Sequence, residues 1–558
     1  MASRVKVRIT PQLSQRRNRS ARPAAWDTAS VAISAADRTL HVPCVRLYSM
    51  NRTALSMTCI SCLCPFLLTG ETPVQIKIHI DASRAVRTMR GGIGASFHVI
   101  DKELPAKRPS LGSWSGSAWG ANPGPDDERR WQELFHYAEW LGLDWCRVEL
   151  EQRTYEPERE RFTWDTPEMR TLYRILDWAE RRGVDVVLQQ LWGDVAWNAY
   201  PGTEGDPVKV LRSAPYSIPD WANGLGELMN HLVRVKGYTC IRWLSVVNEP
   251  GHNEFSWWQD ASMRSLPITP GLRAAREELD RRSLPVPICG PEWTDLPPLA
   301  PAQIDFDDWI GAYNLHSYVA GFDSMMGFYN LGEAERRMAK WADWAHAKGK
   351  PFFLSELGTM AFGWGNRDPG PASYEAGLKN ASLVVRGINA GVDGFNRWSF
   401  TNRGDLDGQW QLVRTWDIDA GRLLDRFGPQ PNAFYQYAML SRFTARNAGV
   451  LATRVDAPFG PGERKLVAAA LAGPKGSLTV IVVNESDREG DATIELDGLA
   501  TPVALSRYAV TPADRDRAEI ALEPRPKIEV TRLLSDRIPA MSIIVYSTYR
   551  LAASDPGI

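Results

Sequence analysis

Charge of one sign is missing from this 558-residue chain, in which 65 Lys and Arg face 66 Asp and Glu for a formal net charge of −1. Without a basic surplus, neither nucleic acid nor an anionic membrane surface is expected as the main partner. Cysteine is scarce: there are seven, an odd number. Cys59, Cys62 and Cys64 cluster near the start, while Cys44, Cys146, Cys240 and Cys289 are scattered. No disulfide framework is legible, and the early cluster lacks a second ligand pair at zinc-like spacing. Cys146 and Cys240 lie in or beside apolar runs and read as buried thiols. The eight histidines show no His-x-His or His-Glu-x-x-His spacing, which disfavours a metalloenzyme. No Gly-rich phosphate fingerprint follows a strand-like run, which argues against a dinucleotide-binding doubly wound sheet. Neither a metal nor a cofactor is expected, and no apolar run is long and unbroken enough for a stable membrane span.

What is present is an ordinary globular composition, 44% hydrophobic and 23% charged, on a chain long enough for two or more domains. Tryptophan is the exception, with 22 residues. At least half must serve the core, but exposed Trp and Tyr faces suit flat apolar ligand surfaces such as sugar rings.

Two stretches organise the rest. Trp243-Leu244-Ser245-Val246-Val247-Asn248-Glu249-Pro250 is an apolar run that suits a strand buried on both faces. It stops at an amide, a carboxylate and a proline, which cannot continue a central strand. Read alone, Asn248 and Glu249 fit the start of a polar loop as well as a site. Lys350-Pro351-Phe352-Phe353-Leu354-Ser355-Glu356-Leu357-Gly358 repeats the design. The interval between the two glutamates holds three βα units at roughly 30–40 residues each. Glu249 then closes strand 4 and Glu356 strand 7 of an eight-stranded barrel, whose C-terminal face is where chemistry sits.

The remaining chain keeps that count. Strands are expected at 91–98, 144–150, 184–192, 286–293, 310–318 and 392–400, with helices at about 126–141, 167–183, 220–236, 270–282, 331–348, 373–389 and 432–443. After about residue 447 the period changes to short runs at 466–471, 477–483, 491–496, 503–510, 528–534 and 541–546, the pattern of an antiparallel β-domain. Alternation at Val74–Asp81 marks a half-buried strand, expected to join that domain. The expected architecture is α/β: a (β/α)₈ TIM barrel over 91–446 and a smaller antiparallel β-sandwich over 447–550, with 74–90 joining the sandwich. Residues 1–73 read as a disordered leader. Early arginines without acids are followed by Met50-Asn51-Arg52 and the apolar stretch Ala54–Leu68, an order that resembles a secretory signal. A secreted or periplasmic location is expected, with a cytoplasmic enzyme as the alternative.

Two carboxylates across a pocket are the minimum equipment for cleaving a glycosidic bond, one protonating the leaving oxygen and the other attacking or stabilising the anomeric carbon. With Asn248-Glu249-Pro250 ending strand 4 and Ser355-Glu356-Leu357-Gly358 ending strand 7, the chain resembles the clan A retaining glycoside hydrolases over about residues 85–445. A following β-domain is similar to that of the glucosylceramidase-like and xylosidase-like families. The resemblance implies that Glu249 is the acid/base, Glu356 the nucleophile and Asn248 the ligand of the sugar 2-hydroxyl. It further implies that Tyr318 bonds the nucleophile, with His316 on the same face, that Arg147 lies near it and that Trp398 floors the sugar site. The partner implied is a carbohydrate.

His98, Trp192, Glu292 and Trp293 also end strands at ligand-facing positions, and for each a loop-packing role is equally open. Trp114, Trp119, Trp197 and Trp364 on upper loops suit sugar stacking or loop anchoring. Glu149 and Glu151 read as ion-pair partners of nearby arginines. A retaining β-glycosidase is the leading reading. A carbohydrate-binding pseudoenzyme would not need the glutamate pair, and a transglycosidase would use the same residues.

Overall fold

The computed structural model describes residues 73–99, 122–190, 193, 195–251, 257–259, 264–320, 330–360, 371–401, 410–417, 420, 422–458 and 465–549. The leader with its signal-like segment, Trp192, Trp114, Trp119, Trp364, Cys44, Cys59, Cys62 and Cys64 lie outside the described residues.

Strand β1, Val74–Met89, opens the described chain, and eight barrel strands follow. These are β2 (Gly92–His98), β3 (Trp145–Leu150), β4 (Asp185–Gln190), β5 (Ile241–Ser245), β6 (Ile288–Trp293), β7 (Ala312–Ala320), β8 (Phe352–Met360) and β9 (Gly394–Arg397). They pair in sequence order, and β9 closes on β2 in parallel register, Gly394 opposite Gly92 and Asn396 opposite Gly94. The result is the (β/α)₈ barrel that the alternation of strands and helices requires. Its principal helices are α1 (Glu128–Leu141), α2 (Pro167–Arg182), α3 (Ile218–Asn230), α4 (Thr269–Arg281), α5 (Leu331–Ala347), α6 (Tyr374–Ala390) and α7 (Phe434–Ser441).

Local chemistry sets the helix ends. Thr166 caps α2 by accepting from the Met169 amide, and Asn330 and Ser373 do the same for α5 and α6. Gly142, Gly183 and Gly391 end α1, α2 and α6 in the left-handed conformation that closes a helix without a Cβ clash.

The barrel interior has two levels. At the N-terminal end Trp145, Val187, Cys289, Ala312 and Phe353 form a separate apolar cluster, with Trp243 against it. Close approach of neighbouring strands explains glycines of β2 and β9. A Cβ on Gly94 would meet the Trp145 carbonyl at 2.2 Å, and one on Gly394 the Phe353 ring at 3.1 Å. The upper level is polar and is described below.

After α7 come β10 (Ala448–Asp456), β11 (Leu466–Ala472), β12 (Leu478–Asn484), β13 (Gly490–Asp497), β14 (Val503–Val510), β15 (Ile528–Val530), β16 (Leu533–Ile538) and β17 (Ser542–Ser547). With β1 they make a nine-stranded sheet ordered β15-β14-β17-β12-β11-β10-β1-β13-β16. All pairings are antiparallel except β1 with β13, where Val74 lies opposite Gly490. All nine strands contribute to one apolar core, among them Ile76, Ile78, Leu451, Val480, Ile494, Leu505, Val530, Leu534 and Ile544, so the sheet wraps around itself as a sandwich.

Two readings change. The run 528–534 is two strands, broken at Thr531-Arg532, where Arg532 turns to pair with Glu495 and Asp497. The strand Ala448–Asp456 was absent from the sequence pattern, because its outer half is exposed and its alternation interrupted.

The other face of the sandwich shares the barrel's core through Val467, Ala469, Leu471, Ile481, Val483, Ile543 and Val545. Polar ties cross the same boundary: Asn389 Nδ2 donates to the Ala468 carbonyl at 2.8 Å, and Ser382 Oγ to Glu485 at 2.5 Å. Truncation after Phe443 should therefore expose an apolar flank and give insoluble protein. Recovery of a soluble fragment in the expression test would show that the sandwich is dispensable.

Candidate active site

The upper level of the barrel is lined by side chains from the C-terminal ends of the strands, and nearly all of them are charged or carry amides. Glu249 follows β5 and takes a positive φ of 43°. Glu292 on β6 does so at 62°. Left-handed backbone at a bulky residue costs about 1–2 kcal/mol, so the fold holds both carboxylates by other contacts.

His316 on β7 joins them. Its Nδ1 lies 2.6 Å from Glu249 Oε1, and its Nε2 lies 2.5 Å from Glu292 Oε2. The same Nδ1 is 3.3 Å from Glu356 Oε2. Glu356 accepts from the Tyr318 hydroxyl at 2.6 Å and pairs with Arg147 Nη1 at 2.7 Å. Arg147 also pairs with Glu149, donates to Asn248 Oδ1 at 2.7 Å and stands 3.7 Å from Glu292. Gln189 Nε2 donates to the Val247 carbonyl at 3.1 Å, fixing the turn that carries Asn248. Two residues beyond Glu356, Gly358 makes room for its neighbours, since a Cβ there would stand 2.5 Å from Trp410 and 2.9 Å from Tyr318.

One oxygen of Glu249, one of Glu356 and a His316 nitrogen all lie within 4.8 Å of one another. Such a trio has the donor types of a metal site. Here both imidazole nitrogens are directed at carboxylates, and an imidazolium has no lone pair for a metal. Burial opposes charge on His316, but Glu356, Glu249 and Glu292 outweigh it and push its pKa up to about 10.

The same balance runs through the cluster. Burial works against the Arg147 guanidinium, yet Glu356, Glu149 and Glu292 hold its pKa above the usual value. Burial would raise Glu292, but Arg147 and then His316 hold it below the ordinary carboxylate value. Glu356 goes the other way. Burial pushes it up to about 7, opposed by His316 and Arg147 and assisted by the like charges of Glu249 and Glu149. Four carboxylates beside two cations favour retention of a proton within the set.

The other residues singled out from sequence divide. His98, fully buried, directs Nδ1 to Glu149 at 2.7 Å and leaves Nε2 without a partner among the described residues. Trp398 is 2% exposed and packs edge-on to Tyr318, Trp410 and His98, with centroids at 6.3, 5.5 and 6.4 Å. Glu292 sits under the site, bonded to Asn314 at 2.6 Å and Ser355 at 3.0 Å as well as to His316. Trp293 points away, packing on Phe306 and Trp341 at 5.3 and 6.2 Å in the barrel wall. Glu149 pairs with Arg147, and Glu151 with Arg153 at 2.9 Å. Trp197 donates to the Glu156 carbonyl at 3.3 Å, which anchors its loop. Sequence reasoning overlooked Asn314, Ser355 and Trp410. The period of two places Asn314, His316 and Tyr318 on one face of β7, a signal that could have found the first.

No model of a known protein family matches the chain, and no curated protein matches it in sequence. Solved structures do match in fold. A GH30 endoxylanase from Clostridium papyrosolvens C71 superposes with a TM-score of 0.55 at 12% identity, over 85% of this chain and 100% of that one. An α-L-arabinofuranosidase from Thermotoga maritima, in complex with arabinose, gives 0.55 at 13% over 85% and 100%. A conserved exported protein from Bacteroides fragilis gives 0.56 at 14% over 84% and 100%. What these matches share with this chain is the fold, a (β/α)₈ barrel followed by a β-rich domain.

Because the Trp398 ring is enclosed, Trp398→Ala should cost about 3–5 kcal/mol. With an unfolding entropy of roughly 2.1 cal/mol/K per residue, that corresponds to a melting temperature lower by about 3–5 °C for a unit of this size. Thermal unfolding measures it, and an unchanged midpoint would take the ring out of the packed core.

Proposed function

We propose that the protein is a retaining β-glycosidase that hydrolyses a β-linked glycoside, oligosaccharide or polysaccharide by double displacement. The observation that carries this reading is the approach of Glu249 and Glu356 to within 4.8 Å, oxygen to oxygen, at the mouth of the barrel. Retaining enzymes hold their carboxyls about 5–5.5 Å apart, whereas inverting enzymes leave about 6.5–9.5 Å for a water. The short separation supports direct attack by one carboxylate.

The surroundings distribute the roles. Glu356 accepts from Arg147 and Tyr318, which fix its oxygens for in-line attack on the anomeric carbon. Glu249, positioned by His316 at 2.6 Å, is left to give a proton to the leaving oxygen and later take one from water. Asn248, itself held by Arg147, is placed for the sugar 2-hydroxyl. GH30 xylanases and an arabinofuranosidase among the structures of like fold support a carbohydrate substrate. The signal-like stretch at Met50–Leu68 supports export, and no helix among the described residues is long and apolar enough to cross a membrane. We take 91–446 as the catalytic unit and 447–550 with 74–90 as its structural companion.

A panel of aryl β-glycosides tests the activity. Glu356→Ala should abolish turnover of every substrate the wild type accepts, because the covalent step is lost. Activity above a few per cent in folded mutant would remove Glu356 from the nucleophile role. Glu249→Ala should retain the first step on a dinitrophenyl glycoside, which needs little protonation, and added azide should yield a β-glycosyl azide. Equal losses on activated and natural leaving groups, without azide product, would argue for a different acid/base.

The pH profile provides a third test. Glu356 must be ionised to attack, and burial raises its pKa toward about 7. Catalytic efficiency should therefore fall as pH drops through the neutral range, well above the usual carboxylate value of about 4.3. An acid limb in kcat/KM at the ordinary glutamate value would contradict the electrostatics described here.

A further inference from the structure

Arg397 is the last residue of β9, directly before Trp398. Its neighbour Asn396 accepts from Ser96 inside the barrel, so the alternation of the strand turns Arg397 outward, toward α6 and α7. Arg397 is 1% exposed. Nη1 donates to the carbonyl of Leu357 at 3.1 Å and to that of Trp398. The Trp410 ring lies 5.6 Å away. Nη2 has no partner, and no carboxylate among the described residues pairs with this side chain. Burial lowers its pKa only to about 10, so the group is charged at neutral pH.

An enclosed charge without a counter-charge is the costliest arrangement in a protein interior, and buried charges are as a rule paired. The fold supplies a cavity beside this one, lined among others by Arg397, Asn380, Gln436 and Tyr437, with room for about one solvent-sized particle. Asn380 accepts from Thr359 Oγ1 at 2.7 Å through Oδ1, which leaves its Nδ2 to donate into the cavity. Gly377 and Ala433 place the cavity beside the first turns of α6 and α7, the ends whose dipoles favour negative charge. Tyr437 is committed elsewhere, donating to the Gly94 carbonyl at 2.6 Å. Gln436 donates to the Tyr374 carbonyl at 3.1 Å and leaves Oε1 without a partner. A water bridging Oε1 to Nη2 would satisfy both atoms but would not neutralise the charge.

We propose that this cavity is a resident site for a small monovalent anion of the size and charge of chloride, held by Nη2 of Arg397 and the Asn380 amide. The site is separate from the proposed reaction centre and reaches it through the backbone. The same guanidinium that takes the anion ties the carbonyl after Glu356 to that of Trp398, so an occupied site fixes the top of β8 against β9.

Thermal unfolding of the full chain tests this, in sodium gluconate progressively replaced by chloride or bromide at constant ionic strength and pH. The expected result is a saturable rise in melting temperature of about 2–4 °C. Asn380→Asp, which builds a carboxylate into the cavity, should fold and melt independently of chloride. Arg397→Met, if it folds, should be equally insensitive. Crystals grown in bromide should show its anomalous signal beside Arg397. Equal melting in gluconate and chloride would overturn the proposal. So would a chloride response that survives in Asn380→Asp, or a water alone beside Arg397 in the bromide crystals.

Discussion

Arg147 and His316 together hold four carboxylates in a space almost closed to water. Arg147 comes from β3, His316 from β7, Glu292 from β6 and Glu356 from β8, while Glu249 and Asn248 follow β5. Five of the eight staves are thus tied through two cations. Each contact is charge-assisted, and loss of His316 would leave the buried Glu249 without its cation, at a cost of about 3–5 kcal/mol. The register of the barrel is accordingly fixed at its upper end by electrostatics. The cluster earns its stability by satisfaction rather than by attraction alone, since Asn314, Ser355 and Tyr318 take up acceptor positions that the cations leave.

The lower end of the barrel obeys a different constraint, that of volume. Trp145, Trp243 and Phe353 fill it, and where the Phe353 ring meets the neighbouring backbone the chain carries Gly91 and Gly394, whose added Cβ atoms would stand 3.0 and 3.1 Å from that ring. A filled floor and a charged ceiling belong together. The rings beneath exclude water from the cluster above, and exclusion is what makes each charge–charge contact strong enough to shift Glu356 and His316.

Much of this was legible in the sequence because it rests on local pattern. Apolar runs that stop at Asn248-Glu249-Pro250 and at Glu356 mark strand ends, and strand ends in sequence order make a barrel. The period of two on β7 placed His316 and Tyr318 on one face. What escaped depends on backbone irregularity or on distant partners. Between Pro291 and Trp293 the β6–β7 register slips, and Glu292 there adopts a left-handed backbone. That slip turns Glu292 under the site and sends Trp293 into the barrel wall, which no alternation rule foresees. The isolation of Arg397 is invisible for a related reason. That no described carboxylate pairs with it becomes apparent only when its neighbours from α6, α7 and β8 are in place.

The parallel pairing of β1 with β13 has a consequence in time. His79 meets Glu495, 416 positions further along the chain. At about 5–20 residues per second, a ribosome needs roughly 20–80 s to cover that distance. For most of that interval, until Ala448–Asp456 is made, Val74, Ile76, Ile78 and Ile80 form a finished β-sequence with neither neighbour present. The barrel can close before either arrives. A nascent chain of this protein therefore carries a sticky, unpaired strand at its front for most of its synthesis, and whatever shields that strand governs how much of the product survives.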